Sequence, residues 1–200
     1  MSTKDMNEHE RKFDPAGASK LDDPERQRYL PHARIVDLLR LSGTETVVDY
    51  GAGTGTVSVE LGRSLEEGIV YAVEENPKMA RLLEEKLSGA GLVGVRPVVI
   101  RDNQVPLPDE SADRVLAVNL LHEVAGEGAL AEMHRLLRPE GFLLIVDWDS
   151  EVERDQGPPD HVALSQTEAR RMLEEAGFNT QPVAAEEFPY HFAFIARREV

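Results

Sequence analysis

An acidic residue followed by three alternating glycines, Asp49-Tyr50-Gly51-Ala52-Gly53-Thr54-Gly55, is the stretch of this chain best suited to chemistry. Glycine at alternate positions lets the backbone take positive φ and removes each Cβ that would hold a ligand away. The amides opening a following helix would then point at whatever occupies the turn. Thr46-Val47-Val48 just ahead reads as a strand, and a helix is expected to open near Thr54 or Thr56. A dinucleotide fingerprint would need its third glycine at position 56, where Thr56 stands. Asp49, two residues before the first glycine, would repel a pyrophosphate and favour a ligand with a cationic amino group. The plain alternative is a glycine-rich turn that binds nothing.

Other candidates fall at the ends of apolar runs. Glu74 closes Ile69-Val70-Tyr71-Ala72-Val73, 19 residues after Gly55. In Rossmann-like sheets an acid near this offset accepts hydrogen bonds from ribose hydroxyls, two carboxylate oxygens matching a vicinal diol. Glu75 is its rival, and register favours Glu74, directly after the strand. A fourth strand over residues 112–119 delivers Asn119-Leu120-Leu121-His122 to the same edge. Asn119 is placed to orient a substrate. His122 is placed to touch ligand or act as a base, with a purely structural role as the competing reading. A fifth strand, Phe142 to Val146, brings out Asp147, Trp148 and Asp149.

The elements that must position these residues are legible from pattern. Asn76-Pro77 caps a helix whose Met79, Leu82, Leu83 and Leu87 form a core face. A third strand over 95–100 ends at Arg101-Asp102-Asn103, and Pro106 to Ser111 is too proline-rich for a helical crossover. Leu130, Met133, Leu136 and Leu137 form a helix expected to stop at a turn, Pro139-Glu140-Gly141. Ser165-Gln166-Thr167-Glu168 is a capping box, Gly177 closes that helix, and strands are expected around Thr180–Ala184 and His191–Ala196. Strand and helix alternate through most of the chain, the pattern of an α/β domain. Residues 1–20 are expected to be a flexible segment. Residues 21–200 then form one domain, opened by a helical cap over 21–43 that starts at Asp23-Pro24. Phe13, Tyr29 and His32 either line the substrate side or simply pack this cap onto the sheet.

With Val47-Val48-Asp49-Tyr50-Gly51-Ala52-Gly53-Thr54-Gly55 and the strand-end acids in view, the chain resembles class I S-adenosylmethionine (SAM) methyltransferases over roughly residues 20 to 197. The subtype is similar to small-molecule enzymes of the ubiquinone-biosynthesis kind. This resemblance implies a Rossmann-like, seven-stranded mixed sheet with helices on both faces and an antiparallel last strand. It implies SAM as methyl donor and S-adenosylhomocysteine (SAH) as product. The donor site it implies comprises Asp49, Gly51, Ala52, Gly53, Gly55, Glu74, Asp102, Asn103 and Asn119, with Asp102 at the adenine amino group. Asn119, His122, Trp148 and His161 are candidates for the acceptor side, and no metal is expected. The competing class is a non-catalytic SAM-binding or partner protein on the same fold.

Composition narrows the partners. Two hundred residues suit one domain. A formal charge of −15 and the lack of a basic run disfavour nucleic acid. The absence of cysteine removes disulfides and thiolate metal sites, an arsenite acceptor's thiols included. No apolar leader or membrane-length run is seen, so a cytoplasmic enzyme with a small-molecule acceptor is expected.

Overall fold

A computed structural model describes residues 12–124, 128–184 and 186–199. Seven strands form one sheet: β1 Thr46–Tyr50, β2 Ile69–Glu74, β3 Val95–Val99, β4 Ala112–Val118, β5 Leu137–Trp148, β6 Phe178–Pro182 and β7 His191–Arg198. Their order is β3-β2-β1-β4-β5-β7-β6, and β7 runs antiparallel to both of its neighbours. The sheet order reverses between β1 and β4, which places a crevice at their carboxyl ends.

Alternation along the buried strands explains the three layers. Val47, Val70, Leu116, Leu144 and Val146 face α1 (His32–Leu38), α2 (Thr56–Ser64) and α3 (Pro77–Ala90). Val48, Val73, Val115, Leu143 and Ile145 face α4 (Ala129–Leu136) and α5 (Gln166–Glu175). Both faces are covered, so the central strands read as continuous apolar runs. Edge strand β3 tolerates Pro97 because its outer side carries no ladder bond to lose.

Caps fix the helix starts. Asn76 Oδ1 accepts from the Lys78 and Met79 amides with Pro77 at the first position, and the capping box at Ser165 and Glu168 is complete. The chain between β3 and β4 has no helix; Arg135 ties it down by donating to the carbonyls of Val105 and Leu107.

Two boundaries differ from expectation. Pro139-Glu140-Gly141 is not a turn ahead of the strand; β5 already starts at Leu137, and residues 138–141 bulge opposite Asp113 alone. The reason is local: Ala112 pairs Leu137 before the bulge, and Arg138 forms an ion pair with Asp113 within it. The sixth strand starts at Phe178 rather than Thr180, because fully buried Phe178 must enter the core as soon as the chain leaves Gly177.

Of the segment expected to be flexible, residues 1–11 lie outside the described residues. Residues 15–17 and 24–28 form 3-10 turns flanking the one-turn helix Ala18–Leu21, and the strap they make (residues 12–30) lies across the sheet's carboxyl edge. Asp22 accepts from Thr54 Oγ1 at 2.6 Å and pairs with Lys86, while the Phe13 amide donates to Glu123 at 3.2 Å. No helix among the described residues is long and apolar enough to cross a membrane.

Candidate functional site

A cavity of about 720 Å³ opens where the strap crosses the ends of β1, β2, β4 and β5. That volume lies in the range that encloses a cofactor-sized ligand. Its floor is the glycine loop. Gly51, Gly53 and Gly55 all have positive φ (77°, 59° and 83°). A Cβ on Gly51 would stand 2.8 Å from Leu120, and one on Gly53 would stand 3.3 Å from Leu21 of the strap. Gly55 does not line the cavity; it is the left-handed N-cap of α2 and packs on Leu83.

Glu74 is fixed by the backbone on either side of it. Its Oε2 accepts from the Gly53 amide at 2.9 Å and its Oε1 from the Asn76 amide at 2.7 Å. Each oxygen keeps a lone pair for a further donor, so the carboxylate can hold the glycine loop and a diol together. Burial pushes its pKa up, against the pull of those two amides. Glu75, the rival, is exposed and pairs with Lys12 of the strap at 3.1 Å.

Asp49 is almost wholly buried and accepts from Ser58 Oγ at 2.5 Å. Burial raises its pKa to about 6; the Ser58 hydroxyl opposes this and the Glu74 charge adds to it. A carboxyl raised in the folded state contributes stability that is complete below about pH 4 and lost as pH rises through about 6. Asp49→Asn should therefore unfold at higher denaturant than the wild type at pH 7, by up to ~3 kcal/mol. It should also flatten the stability profile between pH 4 and 6; an unchanged slope would refute the assignment.

Not every expected residue reaches the cavity. Asp102 and Asn103 are consecutive left-handed residues (φ 53° and 60°); Asp102 is exposed and off the cavity wall, while Asn103 lines it. Tyr50 Oη donates to the Asn103 carbonyl at 3.0 Å, a tether from β1 to this turn. His161 is exposed and its neighbour Val162 lines the wall instead. Ala52, Asn119, His122 and Trp148 all line it. Asn119 adopts φ 53°, and its Oδ1 is buried with no hydrogen-bond partner among the described residues.

Sequence reasoning missed a buried pair at the acceptor end. His122 Nδ1 stands 2.6 Å from Asp147 Oδ1, and Asp147 also accepts from the amides of His122 (3.1 Å) and Trp148 (2.7 Å). The other ring nitrogen, Nε2, is 4.0 Å from Glu123 Oε1. Burial opposes a charged imidazole here, but the Asp147 charge and hydrogen bond outweigh it and the His122 pKa rises. Burial also lifts Glu123, to about 7. The sequence signal was the position of Asp147 at the end of the strand beside His122's, visible only once β4 and β5 are paired. Tyr29 and Trp148 also line the cavity, their ring centroids 5.9 Å apart.

A mostly parallel Rossmann-like sheet with a glycine loop after β1 and an acid closing β2 is the arrangement in which α/β domains take nucleoside-like ligands. Comparison makes this specific. Residues 48–145 match a methyltransferase domain model. A solved SAM-dependent methyltransferase from Aquifex aeolicus is 33% identical, with a TM-score of 0.86 over 92% of this chain and 98% of that one. A ubiquinone/menaquinone biosynthesis C-methyltransferase from Marinomonas is 33% identical over 105 residues, 51% of this chain and 42% of that protein. An uncharacterized methyltransferase from Mycobacterium bovis is 35% identical over 131 residues, 64% of this chain and 49% of that protein. The chain thus spans about half the length of these curated relatives. It belongs to the class I SAM-dependent methyltransferases.

Proposed function

We propose that this protein transfers the sulfonium methyl of SAM to a small-molecule acceptor. The carrying observation is the Glu74 carboxylate, clamped by the Gly53 and Asn76 amides at the cavity floor. The wall fits SAM on its own features. Glycine leaves backbone at the floor where a Cβ would close it, Glu74 faces a diol, and the orphaned Asn119 Oδ1 suits an ammonium donor. Asp49 adds negative charge beside that ammonium. Asn103, rather than Asp102, is the polar side chain at hand for an adenine amino group.

SAM when bound supplies a methyl already activated by its positive sulfur. The protein's share is then to hold donor and acceptor in line, worth about 7–11 kcal/mol in well-oriented systems. The strap and the wall of Leu120, Trp148 and Val162 flank the acceptor side. A small acceptor suits a cavity of about 720 Å³ that has to hold the donor as well.

Calorimetric titration with SAM and then SAH tests the donor site, and mass analysis of a small-acceptor screen with labelled SAM tests transfer. Micromolar binding of both with methylated product supports the reading. Binding without product from any acceptor favours the non-catalytic alternative, and no binding by folded protein overturns the donor site. An ammonium beside Asp49 lowers its pKa, so SAM binding near pH 5.5 should release a proton (Asp49 titrates at about 6). Heats measured in buffers of different ionisation enthalpy will show this release, and Asp49→Asn should abolish it.

A further inference from the structure

We propose that His122 is the proton acceptor for an aromatic hydroxyl substrate, with Asp147 as the positioning residue behind it. The proposal rests on the donor-site reading above and adds the chemical class of the acceptor.

The geometry is that of an oriented base. Asp147 is fully buried, and two amides besides the imidazole hold its carboxylate in place. An acceptor so placed takes the Nδ1–H of His122, which leaves Nε2 as the lone-pair nitrogen of the neutral ring. His122 lines the cavity, and Nε2 is beyond hydrogen-bond distance of Glu123. Around the dyad the wall carries Tyr29, Leu120, Val124, Trp148 and Val162, with Glu123, Asp155 and Gln156 as its polar members. Flat aromatic walls beside one base suit a planar ring bearing one ionisable hydroxyl.

The step balances without another reactant. The hydroxyl proton passes to His122 Nε2 and its bonding pair stays on oxygen. That oxygen forms the new bond to the methyl carbon as the carbon–sulfur bond breaks, and the pair leaves with sulfur as a neutral thioether. The imidazolium formed is stabilised by Asp147.

The groups acting on His122 come from every side. Asp147 on β5 and Glu123 beside it favour the charged ring, and Arg154 from the loop after β5 opposes it. His191 on β7 and Glu74 on β2 act on the same cluster, the latter through Glu123. The Asp147 and Glu123 charges therefore favour the imidazolium that forms when the substrate's proton arrives.

The test uses the whole protein loaded with SAH, and 3-nitrophenol as probe, a weak acid still largely protonated at pH 8, whose phenolate absorbs at longer wavelength than the phenol. At pH 8, above the ordinary titration range of an imidazole, binding to the wild type should raise the phenolate fraction about two-fold or more over that in buffer. His122→Gln should lose this gain, and Asp147→Asn should lose most of it. A merely structural role for His122 would not move a proton between probe and protein. SAH affinity is read by calorimetry on each sample. SAH bound with the probe still protonated, or with no probe bound, overturns the proposal alone. Failure to bind SAH overturns the donor reading and the proposal with it. The wild-type spectrum decides even where a variant does not fold.

Discussion

Glu74→Ala is expected to weaken SAH binding by about 100-fold or more while leaving the protein folded. The residue has two jobs. One oxygen holds the Gly53 amide at 2.9 Å, and the other holds the Asn76 amide at 2.7 Å where α3 begins. Removing the carboxylate frees the glycine loop and deletes the group proposed to hold the ribose diol. A hydrogen bond to a charged group contributes about 1.5–3 kcal/mol, so losing a diol's pair of bonds accounts for at least that hundredfold change. Folding should suffer less, since Glu74 is itself disfavoured as an anion by burial. Glu74→Gln is the sharper comparison, because its amide keeps one acceptor and presents a donor to whichever amide or hydroxyl faces it. Calorimetry on both variants separates the roles. Unchanged affinity in Glu74→Ala would remove the ribose from this position.

A large loss of stability should come from Gly55→Ala. A Cβ there would stand 2.4 Å from Leu83 Cδ1, and Leu83, on α3, is completely buried in the core. The backbone also sits at φ 83°, where an L-residue is strained. Left-handed strain of roughly 1–2 kcal/mol adds to overpacking of about 1–3 kcal/mol, for ~2–5 kcal/mol in all. For a domain of this size each kcal/mol lowers Tm by about 2–4 °C, so a fall of roughly 4–20 °C is expected. Thermal unfolding followed by circular dichroism checks it, and a loss under 2 °C would show that Leu83 gives way freely. Gly91→Ala is the control: it also has positive φ, but a Cβ there meets nothing within 4 Å.

Much of this was legible in the sequence, and the boundary is physical. The glycine loop, Glu74, the Asn76 cap and the capping box at Ser165 are local, so neighbouring residues alone report them. The alternation of apolar runs carried the sheet, because buried parallel strands have one chemical requirement. What stayed hidden depends on pairing across the sheet. His122 and Asp147 are 25 residues apart and meet only because β4 and β5 are neighbours. Asp102 and Asn103 differ by one position, and a pair of left-handed dihedrals decides which of them faces the cavity. The bulge at Pro139 to Gly141 follows from a register that no single strand specifies. Phe13 and Glu123 are separated by 110 residues, and no local pattern announces their contact.

The strap touches both halves of the cavity, and that has a thermodynamic consequence. At one end Asp22 grips Thr54 of the glycine loop and Leu21 rests over Gly53; at the other, the Phe13 amide binds Glu123. Two ligands that each favour the same seated strap share the cost of ordering it. Whichever arrives first makes the second bind more tightly, and linkage requires the reverse factor to be equal. A donor and an acceptor that both favour the seated strap would thus bind cooperatively through residues that belong to neither subsite alone.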